Sequence, residues 1–139
     1  MKKIIYSFLL IMILLLTACS DNESVTLEAT VDNICGTWTQ EADQTVLGKD
    51  SEAEVLPLII TMEFNEDLTC SILFETPSNK YGIEDRRQGC KYQLEKTDEK
   101  TIMTIYYTET DKDEFEVTVT KDTLLLDGRG LDYNLKREK

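Results

Sequence analysis

No histidine occurs anywhere in the chain. That removes Ser-His-Asp and Cys-His nucleophilic catalysis and every zinc site with an imidazole ligand. The six glycines are scattered, so there is no glycine-rich loop to cradle a phosphate. Basic residues are scarce: 15 Lys+Arg stand against 27 Asp+Glu, a net charge of −12. A field of that sign argues against nucleic acid and against direct binding to anionic lipid head groups, and leaves basic partners open. Asp111-Lys112-Asp113-Glu114 lacks the Asp-x-Asp-x-Asp-Gly spacing of a calcium loop and reads as a charged turn. Carboxylate-only hydrolysis needs two groups held at a set distance across a cleft. Among 27 acidic residues accidental pairs abound, so their number is no sign of an enzyme. The expectation is a protein without catalysis, cofactor or metal.

Long apolar runs are also few. Residues 4–16 form the longest one, behind Lys2 and Lys3. A membrane-spanning helix needs roughly 20 apolar residues. A charged start, a short apolar run and small residues before a cut site read instead as a secretory signal peptide. The end of that run, Leu16-Thr17-Ala18-Cys19, resembles the bacterial lipobox. The resemblance implies removal of residues 1–18 and lipidation of Cys19, including a palmitate-type acyl chain. Several chains on one residue hold a membrane stably where one would not. Ser20-Asp21-Asn22-Glu23 partly resembles the serine-plus-acidic export signal of Bacteroidota-type lipoproteins. An outer-membrane anchor is the expected location, with display on the cell surface implied by that export-signal resemblance. Cleavage removes two lysines and no acid, leaving 13 basic and 27 acidic residues and a net charge of −14.

What remains suits one domain. Residues 19–33 read as a lipidated tether that can hold a short helix, and 34–139 as the folded body. Eight stretches carry strand character, several with a clean alternation of apolar and polar residues. They are 34–39, 56–64, 68–75, 90–95, 101–108, 115–120, 124–126 and 131–135. Residues 40–54 are acidic and poor in large apolar side chains, which predicts a long loop. Residues 76–89 predict another, Lys121-Asp122 a tight turn, and Asp127-Gly128 a hairpin turn. Eight strands in meander order with short turns, and no long amphipathic helix, predict an all-β, small antiparallel up-and-down barrel. Closure removes exposed edges, and eight strands leave an interior that side chains or one small ligand can fill.

In that order of motifs the chain resembles a lipocalin-like domain, of the short kind carried by Bacteroidota-type outer-membrane lipoproteins. Gly36-Thr37-Trp38 matches the Gly-x-Trp of the first strand, and "MEFNEDLTC", "YQLEK", "FEVTVTKDTLLLDG" and "YNLKR" follow in sequence. The likeness implies that Trp38 packs the closed end of the barrel beside Arg137. It also puts residues 40–54 at the open end, as a loop that gates entry.

Met62, Phe64, Ile72, Phe74, Tyr92, Phe115, Val117, Leu126 and Tyr133 share one face in the strand reading. They are candidates either to line an apolar ligand cavity or to fill the barrel solid. With Cys19 lipidated, an odd three cysteines remain in an oxidising compartment. Cys70 and Cys90 are candidates for a cross-strand disulfide, with Cys35 the alternative partner of either. Arg86-Arg87 reads as a patch for an anionic group at the barrel mouth or as a solvated loop. These features lead to a lipid-anchored binding module for a small apolar ligand. The alternatives are a module that captures a basic protein, such as a lysozyme, through its loops, and an accessory subunit of an outer-membrane assembly.

Overall fold

The computed structural model describes residues 25–47, 52–78 and 80–139. The signal segment, Cys19 and the tether before residue 25 lie outside these described residues. Nine strands and one short helix follow in chain order: β1 (Thr26–Leu27), α1 (Val31–Ile34), β2 (Gly36–Leu47), β3 (Ala53–Phe64), β4 (Thr69–Glu75), β5 (Arg86–Lys96), β6 (Thr101–Tyr106), β7 (Lys112–Thr120), β8 (Thr123–Gly128) and β9 (Asp132–Arg137). Each strand from β2 to β9 pairs antiparallel with the next. The ring closes where β9 meets β2, at Trp38↔Arg137 and Thr39↔Lys136. This is the expected eight-stranded up-and-down barrel, with β1 added beside β7 at Thr26↔Thr120 and Leu27↔Val119.

The alternation that marks the strands also builds the core. Ile60, Met62 and Phe64 of β3, Cys70 and Ile72 of β4, and Phe115, Val117 and Val119 of β7 point inward and are buried. Thr101, Met103 and Ile105 supply the inner face of β6. Phe64 meets Tyr92 edge-to-face, ring centroids 5.2 Å apart, and Phe115 tilts against Tyr133 at 5.8 Å.

Four differences from the sequence reading have local causes. Residues 40–54 are mostly not a loop: β2 runs to Leu47 and β3 begins at Ala53, in register through Leu47↔Ala53. From the Ala42↔Leu58 pair outward this hairpin leaves the barrel as a two-stranded ribbon, because β9 pairs only with Trp38 and Thr39 and β4 only from Ile59 onward. A ribbon needs no continuous row of large apolar residues, so acidic and small side chains suffice there. Asp113 and Glu114 are likewise strand, not connection, at the start of β7. Arg86 and Arg87 open β5 rather than belonging to the loop before it. Asp127 and Gly128 end β8, and the turn falls on Arg129-Gly130, with the positive φ of 85° at Gly130. Gly128 is needed for a different reason: a Cβ there would stand 2.6 Å from the Leu131 carbonyl oxygen and 2.9 Å from the Phe115 ring.

The body also begins ahead of Ile34. Thr30 caps α1 by accepting from the Asn33 N–H at 3.4 Å, and Ile34 at its end is fully buried. Lys96 of β5 pairs with Glu28, holding this segment down.

Gly36 carries the bend from α1 into β2 at φ +124°, and a Cβ there would stand 3.0 Å from Nη1 of Arg137. Gly36→Ala is therefore expected to lower stability by about 1–3 kcal/mol through backbone strain. Urea unfolding followed by circular dichroism checks this; an unchanged midpoint would contradict it.

Candidate functional site

The two ends of the barrel differ in kind. At the end holding α1, Trp38 is fully buried and donates its indole N–H to the Ile34 carbonyl at 2.7 Å. The Arg137 guanidinium lies 4.0 Å over the Trp38 ring. It also donates to the carbonyls of Asn33 at 2.7 Å, Cys35 at 2.9 Å and Lys121 at 3.0 Å. One planar group thus gathers the start of the body, the β7–β8 turn and the last strand. Tyr92 closes the neighbouring corner by donating to the Asn65 carbonyl at 2.8 Å, with the Cys35 thiol 3.9 Å away. Burial, and then Cys35, push its phenol well above the usual range.

Among the nine inward candidates, Met62, Phe64, Ile72, Tyr92, Phe115, Val117, Leu126 and Tyr133 are all buried within one cluster, and Phe74 packs on its edge. Ile72, Phe74 and Tyr133 border open space: together with Arg86, Gln88, Tyr107, Asp111 and Asp113 they line a bowl of about 240 Å³ at the other end. The remaining six serve as packing beneath it. That end is open because β6 stops pairing at Tyr106↔Lys112 and Lys91↔Tyr106, leaving residues 107–111 to turn above β5.

Outside the same gap lies a larger hollow of about 620 Å³, lined by Thr69, Cys70, Gly89, Cys90, Lys91 and residues 106–109. Gly89 makes room for it, since a Cβ added there would meet nothing within 4 Å. Tyr107 borders both spaces. Its backbone N–H donates to the Asp111 carbonyl at 2.9 Å. Burial first, and then the Asp113 carboxylate beside it, push its phenol well above the usual range. Burial and the Asp113 charge raise Tyr133 as well.

Cys70 and Cys90 stand directly opposite each other on β4 and β5, both buried, beneath the hollow. The facing thiols influence each other, with Cys70 pushed up by Cys90 and by burial and Cys90 pushed down by Cys70. All three described cysteines are free thiols. Gly89, Tyr106, Tyr107 and Gln88 were not singled out from the sequence, and Asp113 was read only as part of a charged turn. Gly89 carried the available signal, because an isolated glycine inside a strand often marks a close approach to its backbone.

Comparison with known proteins yields no relative: no family model, no curated protein and no solved structure matches the chain.

Proposed function

We propose that this protein is a lipid-anchored, non-enzymatic binding protein of the bacterial envelope, akin to the lipocalin-like domain of short Bacteroidota-type lipoproteins. It holds a small ligand with an apolar body at the open end of the barrel. The signal-peptide pattern and Cys19 support the anchor. The observation that carries the binding reading is the pair of spaces meeting at Tyr107, about 240 Å³ inside and 620 Å³ outside, above a lumen otherwise filled. Ligand pockets of known proteins measure roughly 300–1,000 Å³ with mostly apolar linings and a few polar groups. The ligand thus belongs at the mouth and the wall gap, not deep in the barrel.

Gly89→Trp tests this, because the new side chain enters the hollow from a position with no neighbour within 4 Å. The neutral dye phenylnaphthylamine is expected to brighten on binding the native domain. Its affinity should fall at least tenfold in Gly89→Trp, with little change in melting temperature. A native domain that leaves the dye dark, or a variant that binds it as well, would contradict the reading.

A second reading, capture of a basic protein, draws support from the ribbon. Leu47 and Val55 are 77% and 61% exposed there, on the strand face that also carries the exposed acids Glu41 and Asp43. Gln44 donates to Thr76 at 2.6 Å, and Glu54 pairs with Lys80 and Tyr81, which props the ribbon. Binding through it would weaken steeply with salt, whereas dye binding would not.

A further inference from the structure

The polar groups around the bowl say more about the ligand than its volume does. Arg86 opens β5 on the inward-facing register, paired with Phe74, and its guanidinium lies 5.0 Å from the centre of that ring. Among the described residues no carboxylate comes within 4 Å of it and none accepts a hydrogen bond from it, although acidic groups outnumber basic ones almost two to one. Asp113 lines the same bowl, half-buried at the start of β7. It has no cationic partner among the described residues. A carboxylate offers about four lone-pair sites, which leaves capacity for a further donor in the bowl. Arg86 and Asp113 thus border one space without satisfying each other. Ile72 and Phe74 give that space an apolar side.

We propose that the bowl takes a small zwitterion: its ammonium group on Asp113, its anionic group on Arg86, and its apolar body against Ile72 and Phe74. The inference rests on the binding reading above and narrows its ligand class. Size agrees. At about 30 Å³ per water the bowl equals roughly eight waters, the scale of a free amino acid and too small for a lipid tail. A planar guanidinium matches a carboxylate with two parallel hydrogen bonds, which a lysine could not do. Arg87, next in sequence, does not border the bowl.

Three probes that share a phenyl body separate the charges: phenylalanine, phenylethylamine with the ammonium alone, and phenylpropionate with the carboxylate alone. Isothermal titration of the mature domain should rank phenylalanine tightest by at least tenfold. Asp113→Asn removes the charge and should weaken phenylalanine and phenylethylamine about tenfold, leaving phenylpropionate unchanged. Arg86→Gln, at an exposed position, should weaken phenylalanine and phenylpropionate and leave phenylethylamine alone. Equal binding of all three probes, or substitutions that weaken all three alike, would overturn the zwitterion assignment. The dye marks the level of failure. A domain that binds phenylnaphthylamine but none of the charged probes refutes this inference only, and one that binds neither refutes the site as well.

Discussion

Trp38→Ala is expected to lower the free energy of unfolding by about 3–5 kcal/mol, the range for deleting a fully buried aromatic side chain. The loss has two parts. The barrel floor loses its largest buried side chain, and the Ile34 carbonyl loses the indole N–H that satisfies it. Arg137 adds a third effect, because its guanidinium stacks on the ring while bonding three backbone carbonyls. Arg137→Ala should therefore destabilise as well, by about 2–3 kcal/mol for charge-assisted bonds to otherwise unpaired carbonyls. The double variant should lose less than the sum, since contacting residues couple by roughly 0.5–3 kcal/mol. Arg137→Lys should not restore the loss, because one ammonium cannot reach three carbonyls from a plane over the ring. Urea unfolding of the native domain and the four variants measures all of this. A Trp38→Ala loss below about 1 kcal/mol, or strict additivity with Arg137→Ala, would mean that the floor is not held together in this way.

The second large effect concerns Cys70 and Cys90. The Tyr92 N–H donates to the Leu68 carbonyl at 2.9 Å, which makes Leu68 and Tyr92 a hydrogen-bonded pair. Pairs alternate along an antiparallel ladder, so Cys70↔Cys90, two residues on, is of the same kind. Its Cα atoms are then about 5.5 Å apart, inside the roughly 4.4–6.8 Å range that a disulfide spans. Oxidation is expected to link these two and leave Cys35 as the single thiol. Closing a loop of about 20 residues should stabilise the domain by about 3 kcal/mol. The check compares unfolding midpoints in oxidised glutathione and in dithiothreitol, with thiol counts before and after. One remaining thiol and a higher midpoint are expected, and Cys70→Ser should abolish the difference. Three thiols after oxidation, or a bond involving Cys35, would refute the pairing.

Strand character was legible wherever one face of a strand is buried. Phe115, Val117 and Val119 alternate with Glu116, Thr118 and Thr120, and the structure turns the first set inward. The closed end was anticipated only through the resemblance, which set Trp38 of Gly36-Thr37-Trp38 beside Arg137, and the structure packs these two side chains together. The outer ribbon, residues 42–47 and 53–55, was not legible, since a hairpin held by its own ladder needs no alternating apolar row. The open-end site was hidden for a related reason. Asp113 lies in the charged stretch 111–114 that reads as a turn, Tyr107 in a stretch that reads as strand, and only the bend of residues 107–111 over β5 brings them beside Arg86 and Phe74. Inward position alone did not separate Ile72, Phe74 and Tyr133, which border the bowl, from Phe64 and Phe115, which fill the barrel. That difference depends on how far each strand's pairing extends, and no periodicity encodes it.

Amide chemical-shift mapping of the mature domain during titration with phenylnaphthylamine tests most directly the proposal that ligand binds at the open end and the wall gap above a packed floor. Shifts concentrated at Gly89, Cys90, Tyr107 and Asp113, with Trp38 and Arg137 unmoved, are the predicted result. Shifts confined to the ribbon near Leu47 and Val55, or none at saturating dye, would contradict it.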